Sequence, residues 1–340
     1  MALFPITQIL KIGRWKFCVS IMRIVCYLTA FVLFTPLLRA EQINFNLERD
    51  KNTTEFNYHW RDGKGTEHQI GFVMDNEVLY GTFRHFKAYR QSAAQRFVLK
   101  QLREISSTFD PRDIRVQLSL TQAGIQVEAS SVDEESSQAV LQTLRKAQQE
   151  SFDEFLKNNY FSPYIDPFGV EGVKPDHGRF AAESIELLKP IKEAFQKKYG
   201  RIRSKKMLSI VLSFVQSIPY HDQVSEADKN AGFIPPNKLL YRNLGDCDSK
   251  STLFASLAKA MYPKLGVAMI YIPNHTLVGL QIAHVGQDQW INHNGIHYIL
   301  AEPVGPELLP MAKVADSSES YVFGKMYRVE KVKRPKRKRK

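Results

Sequence analysis

The spacing of apolar residues along this chain changes several times, and each change predicts a different element. Apolar and polar residues alternate in "INFNLER", "TEFNYHW" and "HQIGFVM", over 43–61 and 66–74. A period of two predicts strands, and "RDGKG" between the last two predicts a hairpin turn. From Asn76 to Ser107 the apolar positions Val78, Leu79, Phe83, Phe86, Tyr89, Phe97, Val98 and Leu102 take a helical spacing, enough for one or two helices. "DIRVQLSL" and "GIQVEAS" alternate again, joined by Thr121-Gln122-Ala123. Residues 133–158 return to the helical period, with Leu141, Leu144, Ala147, Phe152 and Phe155 expected inward.

Pro and Gly then concentrate in "YFSPYIDPFGVEGVKPDHG", 160–178, which reads as a linker. Its aromatic residues Tyr160, Phe161, Tyr164 and Phe168 suit packing between domains. Two helical patterns follow, Arg179 to Tyr199 and Ser204 to Ile218, and then an irregular stretch with Pro235-Pro236. A helical run opens at Cys247. Strands are expected at Val267 to Ile272, at "HTLVGLQIAHV", and in "QWINHNGIHYILAE", where Asn294-Gly295 is a hairpin turn. No internal repeat is present. The pattern predicts an α+β chain in four parts. Residues 1–40 form a leader, 41–165 a smaller α+β domain of unassigned role, 166–325 a second domain, and 326–340 a tail.

The leader holds Lys11, Arg14, Lys16 and Arg23, no acidic residue, and the 15-residue apolar run from Ile24 to Leu38. That order is the pattern of a secretory signal cut after Ala40, or of an uncleaved anchor, because Leu38 breaks the small-residue rule. Export to the periplasm is the expectation. Cleavage would remove Cys18 and Cys26 and leave Cys247 as a single thiol, so disulfides would not staple the fold.

The net charge of +12 comes from the two ends. The leader carries five basic residues, counting Arg39, and the last ten residues, "KVKRPKRKRK", carry eight. What remains is close to neutral, so no nucleic-acid face is expected. The run Lys331 to Lys340 suits an anionic envelope surface.

Cys247 follows Asn243-Leu244-Gly245-Asp246 at the start of a helical run. Gly245 permits a tight turn, Asp246 is a natural N-cap, and the first turn presents unpaired N–H groups that favour a thiolate and an oxyanion. Asp246 and Asp248 oppose the thiolate, so a cationic partner is needed. His275 begins a strand 28 residues on, with Leu277, Gly279 and Gln281 on its face. Glu302 ends "HYILAE". If His275 stands opposite Glu302 across an antiparallel pair, Leu277 meets Leu300 and Gly279 meets Tyr298, and the carboxylate holds the imidazole.

"GDCDSKSTLFASL", "HTLVGL" and "GIHYILAEPVG", in that order, resemble the transglutaminase-like superfamily, which shares the papain-like catalytic arrangement. "FVQSIPYHD", 214–222, resembles the helix end upstream of that family's cysteine. The resemblance covers about residues 180–305. It implies an α+β core in which the cysteine helix packs on an antiparallel sheet. It also implies that Cys247 is the nucleophile, His275 the general base and acid, and Glu302 the orienting carboxylate. The implied reaction is acyl transfer on peptide or glutamine amides of a protein or peptide substrate, without a cofactor. Thr276 after the histidine and "IPPNKLLYRNL" before the cysteine depart from the usual pattern. Tyr220, Asn237 and Tyr241 are candidates for a second oxyanion donor. The competing reading is a non-catalytic envelope module that keeps the three residues. His293 and His297 straddle a hairpin turn rather than a helix face and lack a supporting acid cluster, so no metal is expected. His221 and His284 read as surface residues.

Overall fold

The computed structural model describes residues 41–121, 124–220, 232–305 and 308–333. The leader, the turn residues Gln122 and Ala123, His221 and the motif end at 221–222, and the tail from Arg334 onward lie outside them.

β1 (Glu41–Arg49), β2 (Thr53–Arg61) and β3 (Glu67–Asp75) pair in sequence order as an antiparallel sheet. The alternation is expressed as expected: Phe56, Tyr58 and Trp60 of β2 and Ile70, Phe72 and Met74 of β3 are buried. Phe56 lies opposite Phe72, with ring centroids 5.0 Å apart. α1 (Asn76–Gly81) follows, capped by the Asp75 side chain. The helical period then fails. Residues 82–90 are irregular, with Phe83 at φ 55°. Phe83 and Phe86 leave the helical stripe to pack edge-on against Phe180, and Tyr89 packs against Phe161. α2 (Gln91–Ser106) restores the period.

The hairpin of β4 (Ile114–Thr121) and β5 (Gly124–Ser131) joins α2 and α3 (Glu134–Asn158) around a small core of Val98, Leu102, Val140, Leu144 and Ala147. Leu141, Phe152 and Phe155 are half-buried, because the stripe centres on Val140 and Leu144. The segment read as a linker is folded. β6 (Phe161–Ile165) and β7 (Glu171–Pro175) form a hairpin whose turn is built by the Asp166 carboxylate, which accepts from the N–H groups of Phe168 and Val170. Pro167 and Gly169 lie in the turn, and Pro163, Gly172 and Pro175 lie on the two strands, both of them edges. The single helix expected over 179–199 is two, α4 (His177–Glu183) and α5 (Lys189–Tyr199), the second begun by Pro190 in its first turn. α6 (Ser204–Ser217) matches its pattern.

α7 (Pro236–Arg242) and α8 (Cys247–Met261) lead into an antiparallel sheet. Its strands are β8 (Val267–Ile272), β9 (His275–Leu280), β10 (Trp290–His293), β11 (Ile296–Ala301) and β12 (Arg328–Lys331). Their spatial order is β10-β11-β9-β8-β12. β9 stops at Leu280, short of the full expected run. Asn294 and Gly295 both take positive φ, as a two-residue hairpin turn requires. Arg328 to Lys331, at the start of the stretch read as tail, form the edge strand, and Val332 is buried. α9 (Asp316–Phe323) follows the sheet's central strands in the chain.

The sheet has two buried faces. Met269, Val278, Leu280, Ile299 and Ala301 pack with α6 and α8 into the main core. Ile270, Leu277, Tyr298 and Leu300 pack on the other side, against Tyr321 and Val322 of α9. The first sheet belongs to the same main core. Trp60 Nε1 donates to Ser213 Oγ at 3.0 Å, and Tyr58 OH donates to the Leu240 carbonyl at 3.0 Å. The chain is α+β with antiparallel sheets.

Candidate active site

The approach to α8 is set by close packing. A Cβ on Gly245 would stand 2.6 Å from Leu239 Cδ1, so a larger residue there would force the buried Leu239 side chain to shift; a positive φ plays no part. Gly245 N donates to the Pro219 carbonyl at 3.2 Å, and Gly245 forms a parallel bridge with Tyr220. Asp246 caps α8, its carboxylate accepting from Ser249 N at 2.8 Å. Lys250, one turn on, is fully buried and donates to the carbonyls of Gln216 and Ile218 at 3.1 and 2.6 Å. Burial lowers its pKa to about 7. These bonds clamp the end of α6 to the first turn of α8.

Cys247 is half-buried in that turn. Its Sγ makes a 4.0 Å hydrogen bond to Asp248 Oδ1. Burial pushes the thiol pKa far up, and the carboxylates of Asp248 and Asp246 add to the shift. Asp246 is itself raised, to about 7, by burial and then by Asp248. The resting sulfur is therefore a thiol.

His275 Nε2 lies 2.8 Å from Glu302 Oε1. Glu302 is buried and held from the far side: Ala315 N donates to Oε2 at 2.9 Å, and Ser318 Oγ lies 3.4 Å from Oε1. The expected pairing of β9 with β11 is displaced by two residues. Leu300 stands opposite Gly279 and Ala301 opposite Val278. A shift of two preserves the face, so His275 and Glu302 meet diagonally rather than head-on. The space that glycine leaves at Gly279 is filled by Ile270 and Tyr298.

Thr276, the next residue along β9, fastens this strand end to α8. Its hydroxyl donates to Asp248 Oδ1, and its carbonyl accepts from Ser251 Oγ at 2.8 Å. The structure thus brings His275 and Glu302 together and ties the His275 strand to the turn that carries Cys247. Among the described residues no hydrogen bond joins the sulfur to the imidazole.

Cys247 opens into a cleft of about 1290 Å³ that Tyr220, Asn237 and Tyr241 also line. Asn237 is no oxyanion donor. Both its amide hydrogens are used, on the carbonyls of Leu79 at 2.8 Å and Thr82 at 2.7 Å. Tyr241 packs against Tyr80, with centroids 5.2 Å apart. Tyr220, bridged to Gly245, is the candidate set nearest the cysteine in the backbone pairing.

One neighbour escaped the sequence reading. His177 is fully buried beside Asp248, its Nε2 3.7 Å from Oδ2 and without a hydrogen bond. Its Nδ1 lies 3.1 Å from the Tyr271 hydroxyl, which also meets Lys174 Nζ and Glu330 Oε2, each at 3.2 Å. Burial lowers the His177 pKa to about 4, against a raising influence from Asp248. Histidine at the first position of a short helix, one residue past an Asp cap, was the only sequence signal.

His284, Trp290 and His297 stack in one group, with His284 4.5 Å and His297 4.4 Å from the indole. Among the described residues no three His, Cys, Asp or Glu side chains are placed to hold a metal ion, and no helix is long and apolar enough to cross a membrane.

Neither family models, nor curated proteins, nor solved structures produce a match to this chain.

Proposed function

We propose that this chain is an exported transglutaminase-like thiol enzyme that transfers acyl groups from peptide or glutamine amides through a thioester on Cys247. The observation that supports it most is the His275–Glu302 pair, 2.8 Å apart, with His275 on the strand end that Thr276 fastens to the cysteine's own turn. The reaction begins from a thiol. As Sγ attacks the carboxamide carbon, its proton passes to Nδ1 of His275, and Glu302 stabilises the imidazolium through Nε2. The N–H of Cys247 in the first helical turn suits the developing oxyanion. Collapse expels ammonia from a glutamine amide, or the amine of a peptide bond, with the proton from His275, and water or an amine then takes the acyl group from sulfur. The leader carries the chain out, and the basic tail rests on an anionic envelope surface.

A second reading, a non-catalytic envelope interaction module, is favoured by one observation. The sulfur bonds to Asp248 rather than to His275, and its pKa is raised. One experiment separates the two. The full chain is treated with iodoacetamide at pH 7.5, and ammonia release is followed from a glutamine peptide with and without an added amine. The enzyme reading expects labelling at Cys247 that slows in His275→Ala, together with ammonia release. An inert Cys247 and no ammonia leave the module reading.

A further inference from the structure

The walls of the Cys247 cleft carry a charge pattern that the acyl-transfer chemistry does not use. One wall is the irregular segment 82–90, which presents Arg84, Lys87 and Arg90; the other is α7, which presents Lys238 and Arg242. Among the described residues none of these five cations forms an ion pair with a carboxylate, and Arg84 reaches only the His85 ring, at 2.9 Å. Arg84, Lys87, Arg90 and Arg242 are exposed, whereas Asp246 is buried and Asp248 half-buried beside Cys247. These four cations therefore lie towards solvent, and the acids lie deeper in the lining. Phe83, Phe86 and Tyr89 alternate with the cations of the first wall and face the same cleft.

The walls are fixed to one another. Asn237 of α7 donates to the carbonyls of Leu79 and Thr82, bridging from one wall to the root of the other. A cleft that is already assembled loses little order when it is filled. Lys238 is held below the usual lysine range by burial and then by Arg242, as expected of like charges set together without a counterion.

We infer that this cleft takes an acidic peptide segment, so that the amide presented to Cys247 is flanked by Asp or Glu side chains. The inference rests on the acyl-transfer reading and names its substrate class. A neutral carboxamide suits the deeper, acid-lined part, and carboxylates on either side suit the unpaired cations towards solvent. The aromatic side chains between the cations suit the apolar residues of a peptide. A continuous polyphosphate would bring negative charge onto Asp246 and Asp248, which disfavours it.

The test uses the full chain with Cys247→Ala and three fluorescein-labelled peptides, in which one glutamine is flanked by glutamates, by serines or by lysines. Anisotropy is read at low salt and at about 0.3 M NaCl. The glutamate peptide is expected to bind at least about tenfold more tightly than the serine peptide at low salt, at a few-fold per ion pair, and to lose most of that margin in salt. Arg84→Glu with Lys87→Glu is expected to reverse the preference towards the lysine peptide. Arg84→Gln with Lys87→Gln, the milder pair, is expected to reduce it, with circular dichroism confirming that both variants are folded. Equal affinity for the three peptides, a preference unchanged in both double variants, or tighter binding of inorganic polyphosphate than of the glutamate peptide overturns the inference. Selective binding of the glutamate peptide alongside an inert thiol in the unmodified protein upholds the acidic-segment site and removes the acyl-transfer reading instead.

Discussion

His177 links the buried floor of the site to acid stability, and His177→Gln tests that link. The imidazole is fully buried and its Nε2 lacks a hydrogen-bond partner, so charging it inside the fold is unfavourable. Its pKa falls from 6.5 to about 4. The unfolded chain therefore takes up this proton first as the pH falls. The stabilising contribution is complete above pH 6.5 and is lost between pH 6.5 and 4. At about 1.36 kcal/mol per unit, the loss is about 3 kcal/mol. Asp246 acts in the opposite sense. Its folded pKa is raised to about 7, so its contribution grows as the pH falls from 7 towards 3.8. Both proteins retain Asp246, so it cancels in the difference between them. Glutamine keeps a polar group within reach of Tyr271 and Asp248 and does not titrate. At pH 7.5 the variant should be less stable by about 1–2 kcal/mol, from lost packing against Phe233 and Tyr271. Urea unfolding of both proteins at pH 7.5, 5.5 and 4 should show the gap shrink and reverse, moving by about 3 kcal/mol in total. A gap that stays constant across this range refutes the argument that His177 is buried uncharged.

Glu302→Ala should cost about 1–3 kcal/mol, because it strands the Ala315 N–H and the His275 ring together, and Glu302→Gln should recover part of this in the same urea titration. Asp246→Asn keeps a capping oxygen for Ser249 N while removing one of the charges that raise the thiol. Its iodoacetamide rate at pH 8 should rise by roughly threefold to tenfold, and an unchanged rate would show that Asp246 does not act on the sulfur. Gly245→Ala should lower stability by about 1–3 kcal/mol, since Leu239 is fully buried and has little freedom to move away; a melting temperature equal to that of the parent would contradict the close packing.

The elements visible in the sequence are those whose signals are local. Alternation in β2 and β3, the Asn294-Gly295 turn and the Asp246 cap each follow from a few consecutive residues, and each appears as expected. Residues 82–90 misled because Phe83, Phe86 and Tyr89 keep a helical spacing while serving an aromatic cluster made with Phe161 and Phe180 from far along the chain. The linker reading failed for the reverse reason. Pro and Gly signal turns equally well inside a tight hairpin, and composition does not separate the two. The pairing of His275 with Glu302 was legible in its face but not in its register, because a shift of two residues leaves every side chain on the same side. His177 could not be placed near Asp248 from sequence, since nothing local connects residues 71 positions apart.

The bond from Tyr58 to the Leu240 carbonyl, and that from Trp60 to Ser213, bear on how the chain can be divided. A fragment beginning near residue 160 would contain Cys247, His275 and Glu302 but would lack the cleft wall of residues 82–90. It would also lay bare the apolar surfaces of Phe195 and Phe214 that Tyr58 and Trp60 cover. Such a fragment should aggregate on expression, whereas limited proteolysis of the intact chain should leave the first sheet attached to the cysteine helix. The opening strands thus roof the core beneath the site, and a fragment that includes them is expected to fold where one that begins after them does not.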